Sequence, residues 1–400
     1  MPSHPEIMVV TSSQLQACCQ QIALESSLGF DTEFVGEDSF HPTLCLIQVA
    51  TEHHLFVIDP LSVGPLDQFW KLLHDPRRLV IVHAGREEIR LCNRLSGKPP
   101  DRLFDVQIAA GLLGHGFPLS HGSLLLQTLG TTLPKGETLT DWRQRPLSRA
   151  QLRYAFDDVR YLLPLHAHLQ ARLELLNRLP WAEEEFADLL AHSLGDAPEY
   201  ERWRKLRGLG ALDRRKLALV RALFSWREDA AERGNRPART ILRDDLLVEI
   251  ARRNPTRERD LQILRGLPRG EMEGIFEALR AARAVPEEAC PNLVERDNDP
   301  PQLALVANLL GAVLADWCSR SHLTVSQTAS NSDLKALVRA HWSGEPLDLD
   351  SSLARGWRKS FIGPELEAFL RGDRSVRVGD LKATCPLRVE EIPPTRESSL

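Results

Sequence analysis

The stretch GFDTEF, Gly29 to Phe34, sets two carboxylates among residues that otherwise read as a buried strand. Side chains two apart in a strand share a face, so Asp31 and Glu33 project together while Phe30, Thr32 and Phe34 face the other way. Two like charges on one face of a mostly apolar strand repel unless something positive lies between them, and a divalent cation is the natural candidate. A wet edge strand would accommodate the same pair, because D-x-E is a short pattern. The surrounding sequence separates the two readings.

Around this stretch, short β-branched or apolar runs alternate with helical patterns up to about residue 175, as in α/β domains. Strands are expected at EIMVV (6–10), LGFDTEF (28–34), TLCLIQVA (43–50), HLFVIDP (54–60) and RLVIVHA (78–84). A helix between the first two has Ser12 or Ser13 as its expected N-cap and an apolar stripe through Leu15, Cys18, Ile22 and Leu24. Further helices are expected at about 65–75, 85–96, 105–114, 120–129 and 149–176. Beyond that no strand is expected. Breaks near GDAP (195–198), GLPRG (266–270) and CPNLVERDNDPP (290–301) separate two helical modules, and VEEIPPTRESSL reads as a disordered tail.

The 400 residues, 42% hydrophobic and 26% charged, are enough for two or three domains with their own cores. The N-terminus lacks a basic region followed by an apolar one, and no run approaches the roughly 18 apolar residues of a membrane span. A cytoplasmic protein without a membrane partner is expected. The seven cysteines show neither CxxC pairing nor finger-like spacing with histidine, which points to reduced thiols rather than disulfides or structural zinc. There is no GxxxxGK[ST], which argues against a nucleotide-driven motor. The net charge of −5 hides an asymmetry: residues 201–280 carry 20 Lys/Arg against 13 Asp/Glu, an excess of seven. Phosphate contact depends on local fields, which fall off over roughly 10 Å in physiological salt, so this block is a candidate polyanion surface. A solvated, Arg-rich helical surface has the same composition.

Acidic residues recur where other elements begin or pack. RLVIVHAGREEIRL (78–91) runs a strand into a helix whose first turn holds Glu87 and Glu88, where the helix dipole favours carboxylates. YAFDDVRYLLPL (154–165) puts Tyr154 and Asp158 four apart on one helix face opposite an apolar one. Taken together, DTEF at 31–34 followed by HPTLCLIQVAT, HAGREEIRL at 83–91, FDVQIAAGLL at 104–113 and ETLTDWRQRPLSRAQLRYAFDDVRYLLPL at 137–165 resemble the DEDD superfamily of 3′→5′ exonucleases, and within it the ribonuclease D family. The motifs extend over nearly all of the first 175 residues, in order.

The resemblance implies a ribonuclease H-like α/β fold, a mixed central sheet flanked by helices, and a site for two Mg²⁺ or Mn²⁺ ions. Asp31 would bridge both ions, Glu33 and Asp158 would each ligate one, and Tyr154 would orient the attacking water. Hard oxygen ligands suit these cations, and a pair of them roughly 3.5–4 Å apart activates water on one side while stabilising the leaving 3′-oxygen on the other. Histidine-type subfamilies carry their base where this chain has Arg153, so Tyr154 places it in the tyrosine branch. The family's second-motif aspartate falls on Glu88, which keeps the charge but adds a methylene. Misplacement of about 1 Å can cost on the order of 10²-fold in a positioning-dependent reaction. Asp105 is expected as outer support for the site or as a helix N-cap.

The basic segment 201–270 resembles the helical HRDC domain, on the helix with Leu219, Leu223 and Trp226, on PARTILRDDLLVEIA, and on the stretch from Pro255 to Gly266. VSQTASNSDLKALV (325–338) and LARGWRKSF (353–361) are similar to the more divergent second helical domain of ribonuclease D. The expected organisation is an exonuclease domain at 1–178, an HRDC domain at 199–284, a second HRDC-like domain at 300–382 and a tail at 383–400. The expected activity is a metal-dependent 3′→5′ exoribonuclease that releases nucleoside 5′-monophosphates from structured RNA such as tRNA precursors, with a monomer favoured. Two alternatives stay open: a DNA 3′→5′ exonuclease, because the metal site does not distinguish a 2′-hydroxyl, and a non-catalytic RNA-binding relative, because of Glu88.

Overall fold

The structure is a computed structural model that describes residues 4–134, 140–194, 199–262, 266–267, 269–293, 299–349 and 351–393. The breaks expected at 195–198 and inside 290–301, the ETL of the quoted ETLTDWRQ, part of the Pro255 to Gly266 stretch and the last seven residues of the tail lie outside them.

Six strands form the main sheet: β1 (Glu6–Val9), β2 (Ser27–Val35), β3 (Thr43–Ala50), β4 (Leu55–Ile58), β5 (Leu79–Val82) and β6 (Leu103–Asp105). Their order is β1-β4-β3-β2-β5-β6, a mixed sheet in which β2, β3 and β4 pair antiparallel and the outer neighbours pair parallel. β3 and β4 are buried on both faces, as near-continuous apolar runs should be. Phe30 turns to one face and meets Phe69 of helix Asp67–Leu73 at a ring-centroid distance of 6.2 Å. The other face of β2 is covered by helices Arg149–Arg160 and Leu162–Leu175. Gly29 permits that approach, because a Cβ there would stand 3.0 Å from the Leu162 Cβ.

Several local expectations are corrected. Thr11, not Ser12 or Ser13, caps the first helix, because Gln14 sits three residues on and closes a reciprocal capping box. The helix expected over 149–176 is two helices broken at Tyr161, because Pro164 has no N–H to return to the Arg160 carbonyl and its ring crowds that carbonyl. The three-residue β6 precedes a helix that starts at Val106, too short a strand to show an alternation.

Strands also return near the C-terminus. β7 (Arg374–Val378) and β8 (Leu387–Glu391) pair antiparallel, so this part of the expected tail is ordered. Their pattern is masked by charge: Arg374 pairs with Glu391 at 2.5 Å and Arg377 with Glu390 at 2.6 Å across the ladder.

Two hydrophobic cores divide the chain. One is confined to the basic block, where Trp203, Leu219, Leu223, Leu247, Ile250 and Ile275 are buried together. The other runs through the sheet domain and on into the last helical module. Helix Leu179–Leu194, which falls between the expected domains, packs on β6 and on helix Arg86–Ser96 and carries Trp181, stacked on Trp357 at 4.9 Å and 14°. Arg358 grips Glu185 with two hydrogen bonds of 2.5 and 2.8 Å, and buried Arg178 donates to the Leu112, His322 and Ser321 carbonyls. Helix Pro301–Arg320 is long and apolar enough to cross a membrane by length and composition, but it turns Leu303, Ala307, Leu310 and Leu314 into this shared core.

Candidate active site

β2 delivers Asp31 and Glu33 to the sheet face beneath helix Arg149–Arg160. Asp31 stands opposite Gln48 and Glu33 opposite Leu46, and the register slips between Glu33 and Phe34. A slip of that kind bends a strand and re-aims its side chains. The pairing of β2 with β5 stops at Gly29 with Ile81, so that edge of β2 is open beyond it.

Helix Arg149–Arg160 brings Tyr154 and Asp158 over the strand. Ser148 and Gln151 close a capping box that fixes where the helix begins. The segment leading into it is held down by Arg145, which donates to both oxygens of buried Asp59 at 2.6 and 2.8 Å and to the Cys45 carbonyl at 3.0 Å. Trp142, on the same segment, lies 5.9 Å from Tyr154 by ring centroids. Neither the Arg145–Asp59 pair nor Trp142 was anticipated. Their partners are some 86 and 12 positions away in sequence, and no local pattern announces such a pairing.

Glu88 arrives from the first turn of helix Arg86–Ser96 and is 8% exposed. It accepts a hydrogen bond from the Thr32 hydroxyl at 3.3 Å, so it meets β2 from the Thr32 side, and Asp31 is its nearest charged influence. The turn before it is tightly specified. A Cβ on Gly85 would stand 2.3 Å from a Val82 methyl, and Ala84 takes a positive φ of 56°. Asp105 is a helix N-cap, one of its two expected roles: it caps helix Val106–Gly111 through the Gln107 and Ile108 amides, and it also accepts from the Ala84 and Gly85 amides at 3.2 and 2.9 Å. Asp105 thereby fixes the turn from which Glu88, six residues after the strand ends, enters the site.

The electrostatics tie these residues into one group. Burial raises Asp31 to about 6 against the favourable Thr32 amide, and burial plus the Asp31 charge raises Glu33 to about 8. Burial and Asp31 lift Glu88 to about 8, and burial with Asp31, Glu33 and Asp157 lifts Asp158 to about 9. The Tyr154 phenol is pushed up by burial and then by Asp158, Glu33 and Asp31. Four buried carboxyls, three of them further raised by the Asp31 charge, form a site whose negative charge calls for cations.

Among the described residues no three His, Cys, Asp or Glu side chains already close on a single point as an ion cage. The donor set nevertheless fits hard divalent cations, since every candidate ligand is a carboxylate and Asp158 Oδ2 is buried with no hydrogen-bond partner. Glu33 also lines a cleft of about 940 Å³ whose opposite wall comes from the basic module, with Phe34, Trp142 and Arg143 on one side and Arg227 and Arg239 on the other. The module is held there by Arg239 donating to the Glu37 carbonyl at 3.1 Å and by the His41 amide donating to Asn235 at 3.3 Å.

Residues 7–174 match the model of a 3′-5′ exonuclease family, and residues 216–282 match the HRDC domain. The chain is 35% identical to a ribonuclease D of Gluconacetobacter diazotrophicus, over 92% of this chain and 93% of that one. It is 32% identical to a ribonuclease D of Pseudomonas paraeruginosa, over 90% and 97%. Among solved structures, Escherichia coli RNase D, described as an exoribonuclease involved in structured RNA processing, is similar with a TM-score of 0.81 and 27% identity, covering 93% of this chain and 99% of that one.

Proposed function

The chain belongs to the ribonuclease D family, and on that premise we propose that this metal-dependent 3′→5′ exoribonuclease trims the 3′ ends of structured RNA such as tRNA precursors at a site made by Asp31, Glu33, Glu88, Tyr154 and Asp158. The single observation that carries the site assignment is the burial of Asp31, Glu33 and Asp158 close together beneath one helix, with a carboxylate oxygen of Asp158 buried and unpartnered.

Asp31, Glu33 and Asp158 would hold two divalent cations, with Glu88 reaching the same centre from the open edge of β2. When bound, the cations supply Lewis acidity toward the scissile phosphate and the attacking water. The protein's part is positional. Thr32 N–H fixes one Asp31 oxygen at 2.9 Å, leaving the other free to turn to a ligand. Tyr154 keeps its proton, because its phenol is raised by burial and by three carboxylates, so it acts as a hydrogen-bonding group toward the nucleophilic water rather than as a phenolate base. The cleft beside Glu33 offers half-buried Phe34 for stacking on an unpaired base and Arg239 for backbone phosphates, while Trp142 is buried behind Tyr154 as part of the wall.

Incubating the purified protein with 3′-extended RNA and matched DNA in Mn²⁺, Mg²⁺ or EDTA tests the reading. Stepwise release of nucleoside 5′-monophosphates from RNA in metal alone is expected. Preferential digestion of DNA would favour the other nuclease reading, and RNA retention without products in either metal would favour the binding one.

A further inference from the structure

Gln48 stands in the middle of β3, a strand that is apolar and buried on both faces. Its side chain is fully buried, and neither the amide nitrogen nor the amide oxygen has a hydrogen-bond partner. Burying an unpaired primary amide is costly, and an apolar side chain of the same size would pack there without that penalty. In the β2–β3 ladder Gln48 lies directly opposite Asp31, and directly paired residues put their side chains on the same face, within about 5.5 Å at Cβ. That face is covered by the helix of Tyr154 and Asp158. A second unpartnered buried group is on that helix, Asp158 Oδ2, and Asp31 is the foremost charged neighbour of Asp158. A buried donor pair without acceptors and a buried acceptor without donors thus lie under one helix, with Asp31 common to both.

We propose that Gln48 is a positioning residue for the catalytic carboxylates: its two Nε2 hydrogens are donated to Asp31 and Asp158 when cations draw those side chains together. The inference rests on the reading above, that Asp31 and Asp158 hold divalent cations. The residue type suits the task. An amide donates two hydrogen bonds without charge, so it orients two carboxylates and leaves their negative charge for the cations, whereas Lys or Arg in its place would neutralise the site. Outer hydrogen bonds of this kind typically change metal affinity by about 10- to 100-fold when removed.

The test compares the parental protein with Gln48→Met, Gln48→Leu, Gln48→Asn and Asp31→Asn, measuring the melting temperature in EDTA, Mn²⁺ affinity by calorimetry, and kcat and KM on a 3′-extended RNA. The two apolar variants are expected to melt at or above the parent in EDTA, to bind Mn²⁺ about tenfold or more weakly, and to lose kcat with KM little changed. Gln48→Asn, which keeps a shorter donor, is expected to retain more Mn²⁺ affinity than either. Parental Mn²⁺ affinity in Gln48→Met and Gln48→Leu, with Asp31→Asn impaired, would overturn the role of Gln48 alone. Apolar variants that melt below the parent in EDTA would mean that the amide already has its partner in the metal-free fold, which also overturns it. A parental protein that binds no Mn²⁺ would take down the metal reading and this inference together.

Discussion

Thr32 donates its hydroxyl hydrogen to Glu88 Oε1 across 3.3 Å, joining the first turn of helix Arg86–Ser96 to the strand that carries Asp31 and Glu33. The longer glutamate arm is therefore held at both ends, by the Asp105-braced turn behind it and by Thr32 in front. If Glu88 serves the cation centre, Glu88→Asp should retain substantial activity, while Glu88→Gln, which removes charge from that centre, should reduce kcat severely. Thr32→Val should lower kcat by roughly tenfold, the equivalent of one hydrogen bond to a charged group. Steady-state kinetics on one RNA settles the matter: turnover unchanged in Glu88→Gln would reduce Glu88 to a helix-start residue stabilised by the dipole.

Asp31 is the charge that most raises its carboxylate neighbours, so its removal should separate stability from catalysis. Asp31→Asn is expected to abolish hydrolysis yet leave the metal-free melting temperature equal to or above the parental value, because Glu33, Glu88 and Asp158 each lose a repulsive partner. Nuclease assays and thermal melts in EDTA check both halves. Parental hydrolysis in this variant would remove Asp31 from the site.

Burial of these carboxyls, together with the Asp31 charge, gives the metal-free protein a pH dependence of definite sign. Burial, with the Asp31 charge beside it, pushes Glu33 and Glu88 up to about 8 and Asp158 up to about 9, and burial pushes Asp31 up to about 6, from ordinary values of 3.8 to 4.5. Between those limits the folded chain holds protons that the unfolded chain has released, so stability is greatest near the ordinary carboxylate range and is lost as pH rises through 6 to 9. Melting temperatures in EDTA should fall from pH 5.5 to 8.5, and added Mn²⁺ should raise them most at pH 8.5. A flat or rising EDTA series would show that these carboxyls are not held above their ordinary range in the folded chain.

Burial, and after it the charges of Asp158, Glu33 and Asp31, hold the Tyr154 phenol above its ordinary range. Tyr154→Phe preserves the ring contact with Trp142 but deletes the hydroxyl, so kcat is expected to fall by about 10²-fold or more with KM for RNA nearly constant. A change confined to KM would make the ring a packing or stacking element instead.

What could be read in advance followed periodicity and spacing. β3 begins and ends where TLCLIQVA does, and Asp31, Glu33, Tyr154 and Asp158 are assembled on one face because periods of 2 and 3.6 put them there. The misses are long-range or short-lived in sequence. β6 spans three residues, and β7 and β8 hide their alternation under paired Arg and Glu. Gln48 was visible as the lone amide in an apolar run, a signal that strand-pattern reading passes over because burial is not evident until β2 and the covering helix are in place. The docking of the last module was invisible altogether, since Trp181 and Trp357 stack across 176 positions.

That docking changes how the basic block must be tested. Truncation after residue 198 would strip Trp357, Arg358 and the Ser321–His322 carbonyls from Trp181, Glu185 and Arg178, leaving a large aromatic exposed and the Arg178 guanidinium with only its Leu112 carbonyl of the three it meets. Each loss is worth about 1–3 kcal/mol or more, so the fragment is expected to melt far below the full chain, and reduced RNA binding by it would report unfolding. Substitution in the full chain avoids this. Arg239 is exposed, lines the cleft beside Glu33 and donates to the Glu37 carbonyl, and among the described residues no carboxylate pairs with it. Arg239→Ala should weaken binding of structured RNA and make the slope of log K against log salt shallower by roughly 0.7–0.9, the contribution of one phosphate contact. Hydrolysis of a short single strand at saturation should continue at the parental rate, because no proposed metal ligand is touched. An unchanged slope, measured in the full-length protein over a range of salt, would show that Arg239 does not meet the RNA backbone and that the excess of seven positive charges in 201–280 acts elsewhere on the surface or not at all.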